Sequence, residues 1–371
     1  MNYQILARKW RPKNFSEVVG QKHILQTIKN SFLLNRIHQS WILSGTRGIG
    51  KTTIARLLSK SLSCINQITI NPCEKCSHCQ EIEQGCFPDL VEVDAASNTK
   101  IENMKELLDT MQYPPIKGRF KIYLIDEAHM LSKHSFNALL KTLEEPPKYI
   151  KFIFVTTEIN KLPNTIISRC IYFHFNKPEL KEIEKYLSNI LNQERINFDQ
   201  SAIKMISEES NGSIRDALNL TEQLISYGNK NIETSIVLEI FGILNKTKTL
   251  EIIIYILTKN HIKLMNILKI IYQKNIKIEK VLNNMIKILH NIAMIQKYPE
   301  LYQNKEQSSY EKKILRISKF LTYEDLKSYY KIILLGKKEL KFSPTQQIGI
   351  EMIILQLLNF KIKKILKNKI H

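Results

Sequence analysis

The segment GTRGIGKT, from Gly45 to Thr52, has the clearest chemical signature in this chain, because it follows the pattern G-x-x-x-x-G-K-[ST]. The apolar residues WIL before it predict a buried strand, and TTIARLLSKSL after it predicts a helix. In such a loop, backbone N–H groups surround phosphate, Lys51 reaches the β- and γ-phosphates, and the Thr52 hydroxyl binds Mg²⁺. The predicted nucleotide-binding residues are Gly45, Thr46, Arg47, Gly48, Ile49, Gly50, Lys51, Thr52 and Thr53.

Two adjacent carboxylates, Asp126 and Glu127, follow the apolar run 122–125 in KIYLIDEAHM. The run predicts a strand that brings both acids to its C-terminal end, where ligands bind in open α/β sheets. We expect Asp126 to bind Mg²⁺ together with Thr52, and Glu127 to orient or deprotonate an attacking water. The alternative is that the acids merely favour a helix N-terminus.

Four cysteines lie close together in the segment 62–80, LSCINQITINPCEKCSHCQ. Their spacing, C-x₈-C-x₂-C-x₂-C, offers four thiolates and no open position, as a structural Zn²⁺ site requires. We rank an iron–sulfur cluster below zinc, and His78 is the alternative ligand. Cys86 and Cys170 are expected to be buried small side chains. The predicted zinc ligands are Cys64, Cys73, Cys76 and Cys79.

Composition restricts the class of protein. The 371 residues, of which 43% are hydrophobic and only 11 are Gly and 11 are Pro, predict a folded chain of two or three domains. The first ten residues contain Arg8 and Lys9 and lack an apolar signal core, and the run IIIYIL is too short to span a membrane. We therefore expect a cytoplasmic protein, in which clustered thiols favour metal over disulfides.

The formal net charge is +20, and it has two explanations. Clustered Lys and Arg attract a polyanion such as DNA. An A+T-rich genome would also enrich Lys, Ile and Asn, which dominate the segments 277–292 and 359–371. Charge alone does not separate the two explanations.

The pattern of the sequence changes twice along the chain. Up to residue 178, apolar runs such as WILSG, LVEVD, KIYLID and KFIFVTT alternate with helical stretches, which predicts a mainly parallel α/β sheet. Residues 179–242 show only helical patterns, including two helices joined at Asn211-Gly212. Residues 243–371 are also helical and contain no catalytic motif. We therefore predict three domains, 1–178, 179–242 and 243–371.

These motifs together resemble one family, the gamma/tau ATPase subunit of the bacterial DNA polymerase III clamp loader, which is an AAA+ protein. The resemblance covers residues 1 to about 225 and is weaker over 243–371, where YYKIILLGKKELKFSP carries it. It rests on the phosphate loop, the four-cysteine segment, and the motifs YQILARKWRPKNFSEVVGQKHILQTI, YLIDEAHMLSKHSFNALLKTLEEPP, TTEINKLPNTIISRC and NGSIRDALNL.

The resemblance implies roles for further residues. Thr157 would sense the γ-phosphate, with Thr156 as the alternative, and Arg215 would contact the γ-phosphate of its own subunit. Arg169, within Ser-Arg-Cys, would reach the ATP of a neighbouring subunit. The resemblance also places zinc on the four cysteines. The residues that match the adenine-binding segments are Ala7, Arg11, Pro12, Val18 and Val19.

The resemblance further implies a nucleoid-associated motor with an α/β AAA+ domain, a zinc module, an all-α lid and an all-α collar. ATP binding would open a ring-shaped clamp and place it on primed DNA, and hydrolysis would release it. The implied cofactors are ATP, Mg²⁺ and Zn²⁺. The implied partners are the delta and delta-prime subunits, other copies of the chain in a five-subunit ring, the beta sliding clamp and primed DNA. The longer tau form has further domains that bind polymerase and helicase, and the sequence to residue 371 does not include them.

Two alternatives share this fold. A non-hydrolysing stator subunit should have lost the phosphate-loop lysine and the two acids, but Lys51, Asp126 and Glu127 are present. A branch-migration-type AAA+ motor should end in a winged helix, for which the C-terminal segment gives no β signal. The four-cysteine module is expected to be a rigid surface insertion, remote from the chemistry and with no role assigned.

Overall fold

The computed structural model describes residues 4–97, 101–302 and 309–360. The basic stretch 361–371, which belongs to the predicted C-terminal domain, lies outside the described residues. The chain divides into two compact units, Met1–Ile232 and Glu233–His371.

The first unit contains a five-stranded sheet with the strand order β2-β3-β4-β1-β5, in which every pair is parallel. This confirms the predicted parallel α/β class. Its strands are β1 (Ser40–Ser44), β2 (Leu90–Asp94), β3 (Lys121–Asp126), β4 (Ile150–Thr156) and β5 (Ile171–His174).

The sheet has a separate apolar core on each face, and alternate residues of one strand enter different cores. In β1, Ile42 packs in one core, while Trp41 and Leu43 pack in the other. Both faces are therefore covered, which explains why the central strands are continuous apolar runs. The helices that contribute to these two cores are α2 (Lys22–Leu33), α3 (Lys51–Ser63), α5 (Ile101–Thr110), α6 (Lys133–Glu144) and α7 (Asn164–Ile167). Two further helices of this unit are α1 (Leu6–Lys9) and α4 (Ser77–Gln84), which contacts α3.

Three helices follow the sheet within the same unit. They are α8 (Leu180–Gln193), α9 (Gln200–Glu209) and α10 (Ile214–Tyr227). The predicted join between two helices at Asn211-Gly212 is confirmed, since both residues have positive φ, 51° and 86°. The prediction of helices alone was wrong in one detail, because β6 (Asn197–Phe198) pairs with β7 (Asn231–Ile232). Two-residue strands are too short to produce a periodic signal.

The described secondary structure of the second unit is all helical, and the helices from residue 246 onward share one apolar core. Its helices are α11 (Thr234–Phe241), α12 (Lys246–Leu257), α13 (His261–Gln273), α14 (Ile278–Lys297), α15 (Ser309–Phe320), α16 (Tyr323–Glu339) and α17 (Gln346–Asn359). Short 3₁₀ turns in the chain are Phe15–Glu17, Ala128–Met130, Ile159–Lys161, Pro299–Tyr302 and Leu340–Phe342. None of the helices described here combines the length and apolar character that crossing a membrane demands.

Candidate nucleotide and metal sites

The loop 45–50 joins the end of β1 to the start of α3, as the phosphate-loop motif predicts. Gly45 has φ 150°, and a Cβ there would lie 2.7 Å from the carbonyl oxygen of Phe175. Gly48 has φ 79°, and a Cβ there would overlap the hydroxyl of Ser213. Glycine is therefore required where the loop passes close to neighbouring backbone and to the helices after the sheet.

Lys51 is the first residue of α3, and only 6% of it is exposed. Its Nζ donates hydrogen bonds of 2.8 Å to the carbonyl oxygens of Gly45 and Thr46. Burial lowers the pKa of this lysine, while the carboxylates of Glu127 and Asp126 act in the opposite direction. The ammonium group thus lies inside the loop, where a phosphate group would replace carbonyl oxygens as its partner.

The predicted magnesium residues lie together. The hydroxyl of Thr52 donates a hydrogen bond of 2.9 Å to Oδ2 of Asp126, and Oδ1 of Asp126 accepts one from the backbone N–H of Glu127. Two oxygen ligands at the end of the strand and beside a phosphate loop suit the preference of Mg²⁺ for oxygen. The helix-terminus alternative for the two acids is disfavoured, because Glu127 has left-handed backbone (φ 48°) and its side chain makes no capping hydrogen bond.

Thr157, just after β4, is the threonine that faces the acids. Its hydroxyl donates a hydrogen bond of 3.2 Å to Oε2 of Glu127. Thr156 is fully buried, and its hydroxyl accepts from the backbone N–H of Glu158 and lies 3.2 Å from Nδ1 of His129. The hydroxyl that contacts Glu127 is therefore that of Thr157, whereas that of Thr156 has other partners.

His129 is a site residue that the sequence reasoning missed. Its Nδ1 lies 3.5 Å from Oε2 of Glu127, and its Nε2 lies 3.6 Å from Oε1 of Glu158. The signal was present in the sequence, because His129 follows the two acids by only two or three positions. The hydrogen-bond partner of Nδ1 is Thr156, so His129 connects this threonine to the vicinity of both carboxylates.

Arg215 enters the site from α10, whose first turn packs on the phosphate loop. The backbone N–H of Arg215 donates a 3.2 Å hydrogen bond to the carbonyl oxygen of Gly48. Arg11 lies in the same positive cluster, since burial and then the charges of Arg56 and Arg215 lower its pKa. Clustered cations beside a loop of backbone N–H groups form a site for a polyanion.

The predicted adenine residues fall into two groups. Ala7 lies on α1, which is attached to the helices after the sheet. The backbone N–H of Leu6 donates to Glu222, Nε1 of Trp10 donates to Glu194, and the hydroxyl of Tyr186 donates to the carbonyl oxygen of Trp10. Val18 instead packs against the core of the sheet. The segment that contains Arg11 and Pro12 connects these two attachments, and Val19 follows Val18 directly.

Arg169 lies at the opposite end of β1 from the phosphate loop. Ile171 is in register with Trp41, so Arg169 lies before the N-terminal ends of both strands. Ser40 and Gly45 are five steps apart along a parallel strand, which corresponds to about 16 Å. The guanidinium pairs with Glu144 at 2.7 Å and borders a cleft of about 450 Å³. This position is remote from the loop of its own chain, as predicted.

The four predicted zinc ligands form one cluster. Their sulfur atoms lie within 4.8 Å of one another, and Cys64 and Cys79 are fully buried. A tetrahedral ion with Zn–S bonds of about 2.3 Å places sulfur atoms about 3.8 Å apart. Thiols this close suit a single ion, whereas a cluster of several iron and sulfide atoms would separate them further. His78 is not in the group, and its Nδ1 lies 2.9 Å from the carbonyl oxygen of Ser63.

The electrostatics of the cluster also suit a metal. Backbone N–H groups of Lys75 and Cys76 lower the pKa of Cys73 to about 6, and the thiolate form is the one that binds metals. Burial raises the pKa of Cys79, so a bound cation is what would favour its thiolate form. The prediction that Cys86 is buried was wrong, because it is exposed beside the cluster, whereas Cys170 is partly buried and its pKa is raised to about 12 by burial.

Comparison with known proteins was made for the whole chain. Family models match three consecutive segments: "DNA polymerase III, delta subunit" over residues 20–179, "DNA polymerase III clamp loader subunit, ATPase lid domain" over 182–230, and "DNA polymerase III subunits gamma and tau domain III" over 232–368. The DNA polymerase III subunit gamma of Buchnera aphidicola subsp. Baizongia pistaciae is 49% identical, over 98% of this chain and 99% of that protein.

The chain belongs to the gamma/tau family of DNA polymerase III subunits. The subunit gamma of Buchnera aphidicola subsp. Schizaphis graminum is 48% identical over 96% of this chain and 98% of that protein. The subunit tau of Escherichia coli is 45% identical over 97% of this chain, which spans 56% of that longer relative. Within this family, the matched lid segment 182–230 corresponds to α8, α9 and α10, and the matched domain III contains α11 to α17.

Proposed function

We propose that this chain is the ATP-hydrolysing subunit of a DNA polymerase III clamp loader and that it loads a beta sliding clamp onto primed DNA. One observation supports this proposal above all others. Lys51, Thr52, Asp126, Glu127 and Thr157 converge at the C-terminal edge of the sheet in a gamma/tau-family chain. A subunit that only binds nucleotide would have no need for Glu127 and Thr157, which are proposed to act in hydrolysis.

Binding of ATP depends on the phosphate loop. The N–H groups of residues 45–52 receive the phosphates, and Lys51 exchanges its two carbonyl partners for phosphate oxygens. Arg11, Ala7, Pro12, Val18 and Val19 bind the adenosine part, because they connect the core of the sheet to the helices that carry Arg215. Nucleotide therefore holds these two parts together.

Hydrolysis depends on Glu127. Its carboxylate is held by the hydroxyl of Thr157 and lies beside His129, and it orients or deprotonates the attacking water. Bound Mg²⁺, for which Thr52 and Asp126 are the ligands, would neutralise developing charge on the phosphates. Arg215 contacts the γ-phosphate from within the same subunit, and Arg169 contacts the ATP of the adjacent subunit.

The cysteine cluster is proposed to bind structural zinc, since four thiols leave no position open for a substrate. The domain boundaries are proposed to be 1–178, 179–242 and 243–371. The matched segments agree closely with the first boundary, whereas the match to domain III already begins at residue 232. We further propose that residues 243–371 form the collar that joins subunits in a ring with delta, delta-prime and other copies of the chain. A cytoplasmic, nucleoid-associated location follows from a DNA substrate.

The test is ATP hydrolysis by a reconstituted complex. The chain is combined with delta, delta-prime, the beta clamp and primed DNA, and phosphate release is measured with each component omitted in turn. We expect the rate to rise when all components are present and clamps to be retained on circular primed DNA. A complex that assembles but neither hydrolyses ATP faster nor retains clamps would contradict the proposal. The same result would favour the stator alternative.

A further inference from the structure

The cysteine module, defined as residues 64–87, extends carboxylates toward the residues that follow the proposed adenosine contacts. Arg11 and Pro12 are followed by Lys13 and Asn14, and both of these contact the module. The sequence alone gave the module no role. Its contacts with the rest of the first unit show which parts of the nucleotide site it reaches.

Glu83 is the first of two contact points. It lies on α4, and its Oε1 is 2.8 Å from Nζ of Lys13. Its Oε2 is 3.5 Å from Nζ of Lys60, whose side chain is only 4% exposed. Lys60 belongs to α3, the helix that begins at the phosphate loop, and it also donates to the carbonyl oxygen of Lys13 at 3.4 Å. One carboxylate thus joins the module, the phosphate-loop helix and the segment after Pro12.

Glu74 is the second contact point. Its Oε1 accepts a 3.3 Å hydrogen bond from Nδ2 of Asn14. Glu74 has left-handed backbone, with φ 59°, and lies between the ligands Cys73 and Cys76. The position of its carboxylate is therefore set by the same turn that brings these two sulfur atoms together.

The base of the module is attached to the core. The guanidinium of Arg119 donates to the carbonyl oxygen of Cys64, and also to that of Ile65 at 2.6 Å. Lys117 pairs with Glu81 of α4 at 3.0 Å. These attachments lie just before β3, the strand that ends at Asp126. The module is therefore connected at one side to the core and at the other to residues 13–18, which follow Pro12 and form the nucleotide segment.

We propose that the cysteine module positions the nucleotide segment, with Glu74 and Glu83 as its positioning residues. This inference rests on the proposed ATP-binding function. The Lys13–Glu83 pair is largely exposed, and such pairs contribute little to global stability. The contacts made by Glu74 and Glu83 instead keep residues 13–18 ordered, and through these residues they increase nucleotide affinity. We expect the affinity to fall about 3- to 10-fold when both carboxylates are removed.

The experiment compares Glu74→Ala/Glu83→Ala with Glu81→Ala, which removes a carboxylate from α4 and with it the Lys117 attachment to the core, but leaves the contacts to Lys13 and Asn14 intact. Hydrogen exchange of residues 13–18, ATP affinity and metal content are measured on the full chain. The double variant should retain its metal, exchange faster at 13–18 and bind ATP more weakly. Glu81→Ala should match the wild type in the last two measurements. Unchanged exchange at 13–18 in the double variant would overturn the proposal, whatever its ATP affinity.

The single variant Glu74→Ala provides a test in case the double variant does not fold. Removal of Glu83 leaves Lys60 buried without this carboxylate, whereas Glu74→Ala leaves the Lys60 contact intact and should still increase exchange at 13–18. If hydrogen exchange at 13–18 in Glu74→Ala equals that of the wild type, the proposed role of the turn between Cys73 and Cys76 is refuted. If the wild-type chain itself fails to bind ATP, the proposed function fails, and the exchange data alone then decide whether the module orders this segment.

Discussion

The Thr52 hydroxyl donates a 2.9 Å hydrogen bond to Oδ2 of Asp126, although β4 lies between the strands that lead to these residues. Thr52 follows β1 through the phosphate loop, whereas Asp126 ends β3. The bond therefore crosses the end of β4, and it brings together the two oxygen atoms proposed to bind Mg²⁺.

Lys51→Ala should abolish measurable nucleotide binding and leave the fold intact. Hydrogen bonds to a charged group contribute about 1.5–3 kcal/mol each, so losing two phosphate contacts should weaken binding at least about 100-fold. Calorimetric titration with ATP measures the affinity, and circular dichroism checks the fold. Lys29→Ala, which removes an exposed lysine from α2, is the control. Wild-type affinity in Lys51→Ala would refute the phosphate-loop assignment.

Glu127→Gln should separate binding from hydrolysis. The amide oxygen can still accept the hydrogen bond from Thr157, but it cannot take a proton from water. We expect ATP affinity to change by less than about threefold, and turnover in the assembled complex to fall by about 10²–10⁴. The matched control is Glu158→Gln, because Glu158 also faces His129, whereas the hydroxyl of Thr157 donates to Glu127. Equal turnover in Glu127→Gln and the control would contradict the assigned role.

The sequence was sufficient to predict four strands of the sheet and the phosphate loop, because continuous apolar runs and glycine patterns have local causes. It did not predict β5, whose residues Ile171–His174 are alternately buried and partly exposed at the sheet edge. It also predicted Thr157 as the sensor but could not exclude Thr156. That choice depends on which hydroxyl faces Glu127, and strand twist and loop geometry decide it.

Contacts between residues far apart in the sequence account for the other structural features that the sequence did not predict. The attachment of Trp10 to Glu194 and Tyr186 joins segments more than 170 positions apart in the sequence. No local pattern encodes such a pair. The contacts of Glu74 and Glu83 were missed for the same reason. By contrast, the cysteine cluster was predictable, because three of its four ligands belong to one short repeat of C-x₂-C spacing.

Lys151 should make the stability of the first unit depend on pH. Its ammonium donates to the carbonyl oxygens of Ile37 and His38, and burial lowers its pKa to about 8 from a usual 10.5. Between these values the unfolded chain binds more protons, so stability rises with pH from about 8 to 10.5. The gain is up to about 3 kcal/mol.

The variant Lys151→Met should lose this rise and show the same slope as the wild type below pH 8. Urea unfolding followed by tryptophan fluorescence measures the effect, because Trp41 lies 5.9 Å from Nζ of Lys151 and both tryptophans belong to the first unit. Identical pH profiles of the two proteins above pH 8 would show that Lys151 stays protonated in the folded state.

Cys76→Ser/Cys79→Ser should release zinc and loosen residues 62–80. Apparent binding energies of about 10–16 kcal/mol in small zinc modules are coupled to folding, so the module should become accessible to protease. ATP binding should persist, weakened by no more than several-fold. Metal analysis and limited proteolysis test this, with Cys86→Ser as the control. Absence of zinc from the wild-type protein, or the presence of iron and sulfide, would refute the zinc assignment.

Arg169→Ala should leave ATP binding by the isolated chain nearly unchanged and stop DNA-stimulated hydrolysis in the assembled complex. Arg169 lies before β5 and beside Glu144, at the opposite end of the strands from the loop 45–52. An arginine supplied to a neighbouring site contributes about 10³–10⁵ in rate. Arg169→Lys should restore little activity, because an ammonium lacks the planar, forked guanidinium.

Mixed complexes test whether Arg169 acts between subunits. A subunit with Lys51→Ala and intact Arg169 cannot bind its own ATP, yet it should support hydrolysis at a neighbouring site whose own subunit carries Arg169→Ala. Because each mutant chain alone is inactive, any recovered hydrolysis reports a site shared between two chains. The control is a complex in which every chain carries both changes. If assembly is confirmed and no subunit order recovers hydrolysis, Arg169 acts within its own chain or only in structure.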